Sequence, residues 1–157
     1  MDTAMLQGAE LLAATMSHIE ANPERHNQSD WMRVGMSCGT AACLAGWAVL
    51  LSGVPIDPDS AELASSFSRN QRWAVRIDDG KPVLVERSLM NWEEENRLEA
   101  DGVLMGIGSY ATDLLGLSGY NASVLFCSSN TREELRGMVD TLLEDPGVGL
   151  ELPESAL

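Results

Sequence analysis

The sequence predicts a single-domain α+β protein that is mainly helical, with about five helices around one buried central helix and one β-hairpin on their flank. Three observations predict it. The segment at about 41–52 carries no charge and is almost entirely apolar, which is typical of a helix buried on all sides. Alternating apolar residues over about 72–86 enclose Asp79-Gly80, a strong hairpin signal. A chain of 157 residues, 45% of them hydrophobic, can bury its own core.

The first helix is predicted by apolar residues that recur at helical spacing near the N-terminus. These residues are Met5, Ala9, Leu12, Met16 and Ile19. Proline disfavours a helical residue before it, so Asn22-Pro23 should end this helix. Ser29-Asp30 predicts the cap of a short second helix, with Trp31 and Val34 on one face.

The central helix is predicted from Ala41 to about Ser52, with Thr40 as its N-cap and Gly53 as its stop. Small residues one turn apart on this helix would let another backbone approach closely, while a tryptophan supplies bulk elsewhere. We therefore assign structural roles to Gly39, Thr40, Cys43, Gly46 and Trp47.

After the hairpin, the pattern predicts a long helix from about 99 to 115, which Gly116 ends. A connection with an apolar centre is expected over 118–127. Thr131-Arg132-Glu133-Glu134 reads as a capping box that opens a further helix. We predict that the globular domain spans 1–145 and that 146–157 form a loosely ordered tail.

The cysteine motif also suggests a family. The pattern Cys38-Gly39-Thr40-x-x-Cys43-x-Ala45-Gly46-x-Ala48, preceded by Asn27-Gln28-x-x-Trp31, resembles a group of small uncharacterised proteins of actinobacteria, their phages and some other bacteria. Ala111-x-x-Leu114-Leu115-Gly116-Leu117, followed by Leu125-Phe126, is similar to a second signature of that group. The resemblance implies a setting, the cytoplasm of a bacterium or of a phage-infected cell, and no catalytic residues.

Charge restricts the partners. The chain has 24 acidic and 10 basic residues and a net charge of -14. Such a charge repels a phosphate backbone, so we expect no direct contact with nucleic acid. It favours a protein partner that is basic, including a protein that itself binds nucleic acid. The composition leaves self-association into a homo-oligomer open.

Location follows from the N-terminus and from the length of the apolar run. Met1-Asp2-Thr3 lacks the basic start of a secretory signal, and three cysteines fit a reducing cytosol. The strongly apolar stretch covers only 41–51, whereas a membrane span needs about 20 such residues. We therefore expect a cytoplasmic protein with no membrane role.

A cysteine nucleophile is one candidate chemistry. Cys38 precedes the predicted start of the central helix, where a helix dipole favours the thiolate. Of the two histidines, His26 lies in a polar connection and is the better candidate base. The alternative is that the thiols are small buried hydrophobic groups, which free cysteines often are. The sequence favours that alternative, so we assign no catalytic residue.

A zinc site is a second candidate, formed by Cys38, Cys43 and Cys127 with His18 or His26. Four residues separate the first two cysteines, which is the loose limit of structural zinc spacing. The favoured prediction is that no metal binds. No phosphate-binding glycine loop or dinucleotide fingerprint occurs in the sequence, so we expect no cofactor.

A binding surface is the third candidate and the one we favour. An aromatic residue beside several carboxylates can anchor a basic partner, because aromatics concentrate contact energy and charges steer the encounter. The residues of this predicted surface are Trp92, Glu93, Glu94, Glu95 and Glu99. For these residues taken by themselves the sequence favours the alternative, that Trp92 belongs to the core and that the glutamates are a solvated helix start, because buried tryptophan is common.

Overall fold

Helices and short antiparallel strands alternate along the chain in the computed structural model, which describes residues 7–34, 40–66 and 71–152. The α-helices of these ranges are α1 (Gly8–Ala21), α2 (Leu44–Leu51), α3 (Pro58–Ser65), α4 (Trp92–Ala100), α5 (Ile107–Leu115), α6 (Gly119–Leu125) and α7 (Arg132–Glu144). The strands are β1 (Arg33–Val34), β2 (Thr40–Ala41), β3 (Trp73–Asp78), β4 (Lys81–Glu86) and β5 (Leu104–Gly106). The predicted fold class, α+β and mainly α, is confirmed, although the described ranges contain seven α-helices instead of about five.

The central helix is α2. All residues from Leu44 to Val49 are buried, and α2 packs against α1 and α5. An uncharged helix has to be enclosed in this way, because it has no polar face to turn to water. The predicted buried centre of the fold is therefore confirmed.

The start of α2 differs from the prediction. The helix begins at Leu44, and Thr40 lies in β2 instead of capping it. Main-chain hydrogen bonds keep the residues just before α2 extended. The Ala42 N–H donates to the Arg25 carbonyl at 3.1 Å, and the Cys43 N–H donates to the Asp30 carbonyl at 2.8 Å. These long-range bonds outweigh the local capping tendency of threonine.

Gln28 supplies the hydrogen-bond acceptor that a capping side chain would otherwise provide at the start of α2. Its Oε1 accepts a hydrogen bond from the Leu44 N–H at 3.2 Å. Its Nε2 lies 3.2 Å from the carbonyl oxygens of both Leu125 and Cys127. One buried amide thus joins the start of α2 to the end of α6.

The predicted second helix is wrong. The chain turns at Asn27, whose side chain accepts from the Ser29 N–H at 3.0 Å, and then enters β1. β1 pairs with β2 in antiparallel register, with Val34 opposite Thr40. Gln71 extends this pairing, since its side-chain amide bonds both the N–H and the carbonyl of Val34 at 2.8 Å.

The predicted hairpin is confirmed. β3 and β4 pair from Trp73 opposite Glu86 to Asp78 opposite Lys81. Asp79 and Gly80 form the turn with φ of 50° and 78°, as a tight hairpin turn requires.

A third strand joins this sheet in the order β4-β3-β5 and was not predicted. The predicted continuous helix over 99–115 is wrong, because Gly102 adopts a φ of 72° that ends α4. The next residues pair with β3, with Leu104 opposite Arg76 and Gly106 opposite Ala74, before α5 begins.

The remaining helices close the core. α1 buries Leu11, Leu12, Met16 and Ile19, and it ends before Pro23. The predicted connection over 118–127 contains a short helix, α6, that Ser118 caps at the N–H of Asn121. The predicted capping box of Thr131 and Glu134 is confirmed at the start of α7.

The chain after α7 contacts the core. Leu150 is buried, and its N–H donates to the Asn121 side chain at 2.9 Å. The same side chain donates to the Val148 carbonyl at 2.8 Å. This stretch lies within the range predicted to be a loose tail, and 153–157 lie outside the described residues. Across the described ranges, no helix combines the length and the apolar character that crossing a bilayer would require.

Candidate functional site

Trp92 is the most exposed large apolar side chain of the described residues, with 75% of its surface accessible. It is the first residue of α4 and belongs to neither apolar cluster of the fold. Leu89, three positions earlier, is also exposed. The alternative that Trp92 is a core residue therefore does not describe this chain.

The glutamates of α4 fall into two groups. Glu93 and Glu94 lie in the first turn, where carboxylates stabilise the helix dipole and where the Asn91 side chain caps the Glu94 N–H at 2.8 Å. Glu95, which also lies in the first turn, and Glu99 form ion pairs with arginines that flank β3 and β4. The Arg72 Nη2 lies 2.9 Å from the Glu95 Oε2, and Arg87 pairs with both glutamates.

The predicted binding set is therefore only partly available to a partner. Trp92 and Glu93 are exposed, and Glu94 is half-buried. Glu95 and Glu99 already neutralise arginines of the same chain, so they contribute less to a net negative field. We name the Trp92 surface as Trp92, Glu93 and Glu94.

The described thiols differ sharply. Cys43 is buried as the N-cap residue of α2, and burial raises its pKa to about 11. Its Sγ lies 3.8 Å from the Trp31 carbonyl oxygen. Cys127 is partly exposed, and a hydrogen bond with the Ser129 hydroxyl at 3.1 Å lowers its pKa. Cys43 has the environment of an inert structural cysteine.

Cys38 and Gly39 lie outside the described residues, so the proposed nucleophile has no geometry to assess. The candidate base, His26, is half-buried, and its Nε2 lies 3.0 Å from the Gln28 Oε1. Loss of hydration lowers the pKa of His26 and favours the neutral ring. The pairing of Cys38 with His26 stays a prediction.

A metal centre finds no support among the residues that the structure describes, where no three His, Cys, Asp or Glu side chains cluster closely enough to hold an ion. The imidazole of His18, one of the candidate ligands, lies against Trp47 with 4.3 Å between ring centroids. The sets that include Cys38 stay predictions, because that residue is outside the described ranges.

Two of the residues assigned structural roles do pack closely. Gly46 lies against the main chain at Trp31, so that an ideal Cβ on it would overlap the Trp31 carbonyl oxygen. Trp47 is buried, and its Nε1 donates to the Arg25 carbonyl at 2.9 Å. Both contacts hold the segment before β1 against the central helix.

A groove beside Trp31 is not predicted by the sequence. Its volume is about 590 Å³, and its lining includes Trp31, Trp73, Arg87 and Phe126. Trp31 is 49% exposed, and its ring packs closely against Gly108. An ideal Cβ on that glycine would lie 2.8 Å from the ring. The two glycines of Gly106-Ile107-Gly108 are the feature of the sequence that relates to this groove. They do not predict it, because the contact with Trp31 depends on how α5 packs.

No protein-family model, no curated protein and no solved structure matches this chain. The resemblance to actinobacterial and actinophage proteins therefore stays a prediction from its motif residues. The function has to be inferred from the residues of the chain and their surroundings.

Proposed function

We propose that this protein is a non-enzymatic, cytoplasmic accessory protein that binds a basic protein partner through the Trp92 surface. Its setting would be a bacterium, an actinobacterium in particular, or a phage-infected cell. The observation that carries the proposal is the 75% exposure of Trp92 on a helix that has no buried residue. The outer face of α4 has no packing role that would explain a large aromatic side chain there.

Burial of Trp92 against a partner would supply binding free energy. Burying an aromatic side chain removes about 150–250 Å² of surface from water. Tryptophan is accordingly enriched among the few residues that supply most of the free energy of an interface. The exposed Leu89 adds apolar area next to α4 in sequence.

The negative charge of this protein favours a partner of positive charge. Glu93 forms no ion pair within the described ranges, and the whole chain carries a net charge of -14. This charge attracts a basic protein and speeds the encounter, whereas it repels nucleic acid. A basic protein with an apolar residue at its contact surface is therefore the partner that we propose.

A defined basic probe tests this proposal. We would titrate a fluorescent peptide of alternating arginine and leucine with the protein and follow anisotropy at physiological salt. Trp92→Ala should weaken the affinity about tenfold or more, as the loss of a central aromatic does. Tyr120→Ala is the matched control, because Tyr120 is 57% exposed and lies on α6.

A second pair of variants separates local from overall charge. Glu93→Gln and Glu133→Gln each remove one carboxylate from the first turn of a helix, α4 and α7 respectively. The proposal predicts a larger loss of affinity for Glu93→Gln. Equal affinities across both pairs would show that the peptide binds only the diffuse charge of the protein, and the proposal would fail.

The alternative of a cysteine-dependent enzyme that uses Cys38 and His26 stays a prediction. No contact among the described residues favours it.

A further inference from the structure

The three-stranded sheet has two apolar faces, and α4 covers only one of them. Val75 and Leu84 belong to the main core. Ala74, Val85 and Leu104 form a separate buried cluster, and they alternate with the first set along the strands.

The apolar attachment of α4 to this second cluster is small. Leu98 is the residue of α4 that packs against the cluster, together with Met90 and Val83 from outside the helix. No residue of α4 is buried. A helix of nine residues is not stable by itself in water, so its order depends on what holds it to the sheet.

Ion pairs supply the rest of the attachment. Arg72 comes just before β3 and Arg87 just after β4, and the Arg87 N–H donates to the Arg72 carbonyl at 2.8 Å. Both guanidinium groups reach Glu95, and Arg87 also contacts Glu99. The side chains of Arg87 and Glu95 are only 16% and 14% exposed, so solvent screens this pair less than a surface pair.

We propose that α4 is a strap over the sheet and that the ion pairs of Arg72 and Arg87 with Glu95 and Glu99 hold it closed. The strap opens as one unit while the rest of the fold stays intact. Opening uncovers Ala74, Val85 and Leu104, an apolar surface that is hidden in the closed form. Gly102, in the left-handed region with a φ of 72°, marks one end of the strap, and Asn91, the N-cap residue, marks the other. This opening does not depend on the proposed binding function.

Hydrogen exchange measured by mass spectrometry tests the proposal, because it reports opening segment by segment. In the unchanged protein, amides of α4 should exchange faster than those of α7. Raising the salt from about 0.05 to about 1 M should speed exchange in α4 more than in α7. Salt screens the pairs of α4 that reach solvent through Arg72 and Glu99, which are 53% and 48% exposed, whereas buried apolar residues hold α7 in place.

A matched pair of variants isolates the ion pairs. Arg87→Gln should speed exchange in α4 about three- to tenfold. Arg136→Gln is the control, because Arg136 also pairs with two carboxylates, those of Glu20 and Asp140, but lies on α7. It should leave α4 unchanged. Glu95→Gln should act in the same direction as Arg87→Gln and replaces it if that variant does not fold.

Two results would overturn the proposal. One is that α4 and α7 exchange together at every salt concentration, which would mean that α4 opens only on global unfolding. The other is that Arg87→Gln and Glu95→Gln leave α4 exchange equal to that of Arg136→Gln, which would mean that Leu98 and the caps suffice to hold the helix.

Discussion

An ideal Cβ on Gly46 would lie 1.8 Å from the carbonyl oxygen of Trp31. The obstacle is backbone, which cannot rotate away as a side chain would. We expect Gly46→Ala to lower the free energy of unfolding by about 2–4 kcal/mol, because α2 or the segment at Trp31 has to shift within a packed core. Chemical denaturation measures this loss.

Gly137 provides the control for that substitution. It lies in the interior of α7, and an added Cβ would meet no atom within 4 Å. Gly137→Ala should stabilise the protein by about 0.5–1 kcal/mol, since alanine favours helix and restricts the unfolded chain. A loss of stability at Gly46 no larger than the change at Gly137 would contradict the close approach of α2 to Trp31.

Stability should fall as the solution becomes mildly acidic, in part because of His26. Burial lowers the pKa of His26 below its ordinary value of 6.5, so the unfolded chain takes up this proton at a higher pH than the folded one. The contribution of His26 is complete above the unfolded pKa and is lost as the pH falls through the folded pKa. The free energy of unfolding, measured between about pH 8 and pH 5, should therefore decline less in His26→Gln than in the unchanged protein. Parallel pH profiles would rule out this contribution.

The two described thiols should react at very different rates. Burial raises the pKa of Cys43 to about 11, whereas the hydrogen bond with Ser129 lowers the pKa of Cys127 from its ordinary value. Near neutral pH the exposed thiol therefore holds more of the reactive thiolate, and burial further slows access of a reagent to Cys43. Timed labelling with a thiol reagent at about pH 8, followed by peptide mass spectrometry, should show Cys127 modified first. Labelling of Cys43 before Cys127 would contradict the buried position of Cys43. A still faster Cys38 would favour the enzyme alternative.

The sequence predicted best those features that are local or that depend on one strong pattern. The Asp79-Gly80 hairpin and the Thr131 capping box each depend on a few adjacent residues, and both are confirmed. The buried helix α2 follows from its lack of charge.

The errors share a physical cause, which is that contacts distant in sequence override local propensity. Gln28 supplies the acceptor at the start of α2 that Thr40 was expected to provide. Pairing with β3 draws 104–106 out of a predicted helix. The ion pairs of Glu95 and Glu99 likewise depend on arginines that precede them in the chain, so the sequence suggested a uniform acidic surface where the structure has two distinct groups of glutamates.

The central claim is that Trp92 and its neighbouring carboxylates form the docking surface for a basic protein. Its most direct test immobilises the unchanged protein, Trp92→Ala and Tyr120→Ala, exposes each to lysate of an actinobacterium, which is the setting proposed above, and quantifies the retained proteins by mass spectrometry. We predict that at least one protein of net positive charge is retained by the unchanged protein and by Tyr120→Ala but is lost with Trp92→Ala. Equal retention by all three, or retention of acidic proteins alone, would contradict the claim.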